Sequence, residues 1–240
     1  MATSTKSRNP NKRPGPKKKP GPARGGAGRW LWIGLAAIVV VFVVIVVATR
    51  GGGDGGDNSV TTSSSQVETA PVTVTGESLP TFSLTGTDPA IGMTAPDVTG
   101  QGFDGSPVSI TNDGKAKVVV LGAHWCPHCQ AEIPRIVSYL ETDPMPADVG
   151  LYFVATGTNA QYPNYPPSAW LEKERWPSVV LADSPEATAA QAFGLKYYPY
   201  VVAIDAQGKV VGRASGEMSA QSFTALVNAA RTGTPTDVRS

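Results

Sequence analysis

The chain is poor in the side chains that most often carry chemistry. Its 240 residues include two cysteines and two histidines, and all four fall between His124 and Cys129. Two cysteines cannot build the multiply bridged framework of a small secreted scaffold. Structural zinc usually draws its ligands from two separated knuckles, and no histidine or cysteine follows Cys129 to supply the second. There is no glycine-rich phosphate loop, so no nucleotide is expected. No internal repeat is visible. Acids are missing from residues 1–29, and any charge is missing from Trp30 to Thr49.

Those last two absences divide the chain. Residues 1–29 carry nine basic side chains (Lys6, Arg8, Lys12, Arg13, Lys17, Lys18, Lys19, Arg24, Arg29) among Pro and Gly without apolar periodicity. Such a segment is expected to be a disordered basic tail. No aromatic residue interleaves with the charges before Trp30, so no nucleic-acid partner is expected; attraction to anionic lipid explains them more simply. Trp30–Thr49 is a twenty-residue apolar run, long enough to cross a bilayer as one helix with Trp30 and Trp32 at the interface. The basic flank places the N-terminus in the cytoplasm and the rest of the chain outside, in a single-pass cell-membrane protein. A cleavable signal is the rival reading, with Val46-Val47-Ala48 suited to cleavage; the long basic region and long apolar run favour a retained anchor. Beyond Arg50, ten Lys/Arg face all nineteen Asp/Glu, so that part is net −9. Residues 50–70, rich in Gly, Ser and Thr, read as a flexible linker.

The remaining chain is organised around Ala123–Pro134. Val118–Leu121 is an apolar, β-branched run that reads as a buried strand. From Gln130 to Leu140, Ile133, Ile136, Val137 and Leu140 recur on one helical face. Cys126 therefore stands where a strand turns into a helix, and Pro127 suits the first helical position. The unpaired N–H groups and positive dipole end there stabilise an anion on the Cys126 sulfur. Cys129 comes round after one turn, close enough to close a disulfide. Cys126 is then the exposed attacking thiolate and Cys129 the more buried resolving thiol. His128 adds positive charge or a hydrogen bond to the thiolate, which makes the disulfide a better oxidant.

Trp125-Cys126-Pro127-His128-Cys129 resembles the W-C-x-x-C site of the thioredoxin superfamily. Its extension through Glu132-Ile133-Pro134 is similar to the membrane-anchored TlpA/ResA branch, as are Ile91–Asp97 and Gly102–Gly105 upstream. The Pro-His dipeptide is that of DsbA-type oxidases. The resemblance covers about residues 91–231. It implies that Tyr198-Pro199 forms a cis-proline loop against the dithiol, where backbone pairs with a bound peptide; sequence alone would make the bond trans. It also implies that Trp125 shields the dithiol. The strand Asp that thioredoxins carry six residues before the first Cys is Val120 here, leaving Glu132 as the candidate proton acceptor for Cys129. An ordinary solvated helix glutamate is the competing reading of Glu132. His124 is read either as a tuning group or as a surface histidine; Trp170 and Trp176 are read as core or groove residues.

The fold expected is α/β and thioredoxin-like: a mixed central sheet covered by helices on both faces, with an N-terminal β addition and one transmembrane helix before it. Residues 71–90 are expected to form a hairpin or extension, since Val72–Val74 and Thr81–Leu84 alternate weakly on either side of Gly76-Glu77-Ser78; 91–233 is expected to be the thioredoxin-like domain, and 234–240 a disordered end. The function expected is extracytoplasmic disulfide exchange with protein thiols and disulfides, with no cofactor beyond a Cys126–Cys129 disulfide. A membrane or exported partner recycles the pair. His128 and an oxidising compartment favour a disulfide donor; Glu132 and the anchor favour a reductant. The alternative is a copper or zinc chaperone using the Cys/His cluster, although copper-assembly relatives of this fold add a distant histidine that is missing here. A peroxiredoxin-type peroxidase is disfavoured by Ala123, where such enzymes carry Thr.

Overall fold

The computed structural model describes Met1 and residues 66–238. The basic tail over 1–29, the spanning helix over Trp30–Thr49 and most of the linker lie outside the described residues. Among the described residues, no helix is long and apolar enough to cross a membrane.

The sheet is built around strand β4 (Ala116–Gly122), which is buried along its whole length. On one side it pairs in parallel with β5 (Val149–Ala155), and β5 pairs in parallel with β6 (Val179–Ala182). On the other side it runs antiparallel to β7 (Tyr200–Ile204), which forms a hairpin with β8 (Val210–Ser215). The two-residue period of β4 then sorts its side chains between two cores. Val118 and Val120 face helix α1 (Pro127–Thr142), Trp170 of α2 (Pro167–Lys173) and Phe223 and Leu226 of α4 (Ala220–Thr232). Val119 and Leu121 face α3 (Thr188–Ala192) together with Leu79 and Phe82. The mixed sheet covered on both faces is therefore as expected. Ser219 caps α4 through its Oγ, which accepts from the Ser222 N–H at 3.1 Å.

The N-terminal addition departs from the expected hairpin. Only Thr73–Thr75 is a strand (β1), and it pairs antiparallel with β2 (Asp97–Gln101), not with Thr81–Leu84. Strand β2, which also pairs with β3 (Pro107–Ile110), is not legible in DVTGQ, a stretch of low β propensity recruited by its neighbours. Residues 79–90 instead follow the second core without strand structure. Leu79 and Phe82 are buried, and their N–H groups donate to Ala192 O and Gly194 O. Gly194 has φ +75 and a Cβ there would sit 2.4 Å from Pro80 O, so only glycine allows this close passage.

Two further boundaries move. The linker was expected to run to residue 70, but Val67 N–H donates to Phe103 O, and the Glu68 carboxylate takes the Ser168 N–H at the start of α2. The C-terminus was expected to be disordered from 234, yet Thr236 N–H donates to Val211 O at 2.8 Å and Val238 packs on the first core. In both places backbone groups found partners on the domain, which composition does not report.

Candidate active site

Cys126 is the N-cap of α1 and Pro127 its first helical residue, so the strand-to-helix turn is as expected. No side chain caps that helix start. The first-turn amides have no partner within the helix, as at any helix start. Both thiols are free. Cys126 is 6% exposed, more enclosed than expected, and Cys129 is 0% exposed. Cys126 alone of the two lines a groove of about 580 Å³, shared with Leu84, His128, Tyr197, Tyr198 and Glu217. Burial pushes the Cys129 thiol far up, and the nearby Cys126 and Glu132 add to the effect.

Phe153 packs over residue 122, beside Cys129, because that position has no side chain. A Cβ on Gly122 would lie 2.9 Å from Phe153 Cζ and 3.4 Å from Cys129 Sγ. Phe153 cannot retreat easily, since Trp170 and Trp176 pack on it edge-on. Gly122→Ala is therefore expected to destabilise the domain by about 1–3 kcal/mol through overpacking, read as a lower midpoint in urea. An unchanged midpoint would show that the Phe153 site is slack.

Glu132 is not a solvated helix glutamate: its side chain is 0% exposed. Its Oε1 accepts the Met218 N–H at 3.1 Å, while Oε2 has no hydrogen-bond partner. Burial pushes its carboxyl up, opposed by the Met218 N–H and the Arg135 guanidinium. A residue that sequence reasoning missed completes this cluster. Glu217, in the turn between β8 and α4, accepts from Arg135 Nη1 at 2.6 Å and pairs with His128 Nδ1 at 2.8 Å. Those bonds, His128 first, hold the Glu217 carboxyl below its usual range. Nothing in the sequence marks Glu217, which lies 82 residues from Arg135 along the chain.

Trp125 is held beside the site: its Nε1–H donates to Gly157 O at 2.7 Å, and its ring meets Tyr162 and Tyr198. The Tyr198–Pro199 bond is cis. Pro199 O accepts from the Gly216 N–H and the Ser215 hydroxyl, which pins this loop to the turn carrying Glu217. Tyr198 is half-buried, and that burial raises its phenol. Leu84, Tyr162, Tyr165 and Tyr197 are the large exposed apolar side chains in the segments bordering the site.

His124 corrects the surface reading, since it is 1% exposed. Pro163 O is 2.7 Å from Nδ1 and can only accept, whereas the Asn159 N–H points at Nε2 (3.2 Å) and can only donate. The ring is thereby a neutral tautomer that staples the 159–163 loop. Both nitrogens are engaged, so His124 has no lone pair left for a metal. Among the described residues no group of three or more His, Cys, Asp or Glu is arranged to hold one. Trp170 is a core residue and Trp176 packs against the same core.

Comparison with known proteins places the domain in a family. The family model described as Redoxin matches residues 90–230. A thiol:disulfide interchange protein of the thioredoxin family from Chlorobium tepidum TLS is 30% identical, over 58% of this chain and 96% of that one, with a TM-score of 0.47. DsbF of Mycobacterium tuberculosis is 26% identical, over 55% and 94%, with a TM-score of 0.46. A hypothetical protein of Sinorhizobium meliloti 1021 has a TM-score of 0.51 over 60% and 86%; at 16% identity that likeness concerns the fold alone. No curated protein matches the chain. Because the Redoxin match spans most of the folded domain and includes the strand, the turn and both thiols, the chain belongs to the Redoxin family.

Proposed function

We propose that Cys126 and Cys129 are the redox dithiol, that Glu132 moves the proton of Cys129, and that the domain exchanges disulfides with proteins outside the cytoplasm, tethered by Trp30–Thr49. One observation carries the chemistry: one sulfur opens on a groove while the other is buried, near enough to interact with a buried carboxylate that has one oxygen without a hydrogen bond. The Cys126 thiolate attacks a substrate disulfide, forming a mixed disulfide and expelling the first substrate thiolate. Cys129 passes its proton to Glu132 and attacks the Cys126 sulfur. The second substrate thiolate leaves and the Cys126–Cys129 disulfide closes. Run backwards, the same steps oxidise a substrate dithiol. No cofactor is required, but a redox partner must recycle the pair.

Substrate would lie along the Tyr198–Pro199 loop, where the exposed rings of Tyr197 and Tyr162 offer apolar contact to an extended chain. Pro127 starts the helix, His128 lines the groove, and Trp125 limits water at the sulfur. The location rests on the basic flank and the uncharged run that follows it.

The reduction potential of the Cys126–Cys129 pair decides direction. A value near about −120 mV identifies a disulfide donor and one near about −270 mV a reductant. A pair that never forms a disulfide in any redox buffer overturns the dithiol reading. For location, an alkaline phosphatase fused after the C-terminus is expected to be active, because that enzyme needs its own disulfides; an inactive, fully translated fusion places the domain in the cytosol.

A further inference from the structure

We propose that Glu217 is a positioning residue for proton transfer at the dithiol: its carboxylate takes up the Arg135 guanidinium and so keeps that cation from closing on Glu132. The inference rests on the reading of Glu132 as the proton acceptor for Cys129. Arg135 Nη1 lies 2.6 Å from Glu217 Oε2 but 3.6 Å from Glu132 Oε2. The first distance is a charge-assisted hydrogen bond and the second falls short of one. Glu132 Oε1 is held by the N–H of Met218, the residue next to Glu217. One turn thus seats the buried carboxylate and draws its cation away.

An unpartnered carboxylate oxygen in a dry site is costly, and a guanidinium within reach would normally satisfy it. Glu217 is itself partly exposed, so its ion pair contributes little to stability. Its consequence is chemical. With Arg135 held off, Glu132 Oε2 is open to the thiol proton. In the resolving step the Cys129 S–H bond breaks, the proton goes to Glu132 Oε2, and the Cys129–Cys126 bond forms. The substrate sulfur leaves with the electron pair of the mixed disulfide. The charged and titratable groups facing Glu132 are Cys129 and Arg135 on α1 and Glu217 on the turn after β8, with Cys126 beside Cys129. Glu217 also holds His128 through its second oxygen, so its effect has two possible routes.

The test follows the resolving step by rapid mixing of the reduced full chain with a model peptide disulfide across acid to neutral pH. Infrared titration of the Glu132 carboxyl provides a second readout. In E217Q the guanidinium closes on Glu132, so the acid limb and the carboxyl titration both move about one pH unit lower. The plateau rate falls a few-fold, as Glu132 becomes a weaker base. R135Q moves the limb the opposite way, and H128Q leaves it in place. If E132Q abolishes the limb while E217Q leaves limb and carboxyl titration unmoved, the role of Glu217 is overturned alone. If E132Q keeps the limb, the Glu132 reading itself fails. If H128Q reproduces the E217Q shift, the effect runs through His128 and the Arg135 argument is wrong.

Discussion

Cys126→Ser abolishes disulfide exchange, whereas Cys129→Ser accumulates mixed disulfides with its substrates. Serine at 126 keeps the volume but replaces a sulfur nucleophile by an un-ionised hydroxyl, and only the sulfur stabilised as an anion attacks a disulfide. Insulin reduction should fall by at least about 10³-fold, a barrier increase of about 4 kcal/mol. In Cys129→Ser the attacking sulfur remains, but nothing displaces the substrate from it. The asymmetry follows from placement: Cys126 opens on the groove and Cys129 does not. Non-reducing gels of the two variants separate the outcomes, with adducts expected for Cys129→Ser alone. Insulin turnover at the normal rate by Cys126→Ser would remove the dithiol from the mechanism altogether.

The second large effect concerns the segment that the sheet does not hold. Arg213 on β8 is fully buried, with a side-chain exposure of 0%. Its Nε donates to Asp88 Oδ2 at 2.8 Å and its Nη2 to Asp88 Oδ1. Nη1 donates to Pro80 O at 2.8 Å and to Tyr200 Oη at 3.0 Å. The guanidinium also stacks over Phe82, with its carbon 5.4 Å from the ring centroid. One side chain thus ties residues 80–88 to the central hairpin. Truncation to alanine leaves the Asp88 carboxylate buried without its cation, and breaking such a pair costs about 3–5 kcal/mol. Arg213→Ala should lower the urea midpoint accordingly and speed amide exchange at Leu79 and Phe82. The double change Arg213→Met with Asp88→Leu removes both charges and is expected to recover part of that loss. A loss under about 1 kcal/mol for Arg213→Ala would show that the clamp does not hold the segment. The same segment carries Leu84 to the groove, so its detachment should weaken substrate binding as well.

Asp88 and Arg213 are separated by 125 residues, and no local pattern marks either as half of a pair. The same holds for Glu217. A lone acid in a turn looks like solvated charge until the β7–β8 hairpin brings it against α1. His124 failed for a related reason. A histidine beside an exposed-looking turn has no periodicity to report its burial, and only the folded 159–163 loop supplies the two partners that hold it. Residues 81–84 alternated weakly like a strand, but their backbone partners turned out to be Gly194 and its surroundings rather than a neighbouring strand.

Local chemistry, by contrast, needs few residues to declare itself. A β-branched run, a proline after the first cysteine and an apolar face at helical spacing were enough to place Cys126 at a helix start and Cys129 one turn on. Strand and helix alternation likewise sufficed for a mixed sheet covered on both faces, because periodicity records which faces are buried. What the amino-acid order could not contain was distance between remote parts. The burial of Glu132, the pull of Glu217 on Arg135, and the clamp over the N-terminal segment arise from contacts across tens of residues. Only the packed tertiary structure brings those groups within hydrogen-bond range, and it excludes water from Glu132 and Arg213.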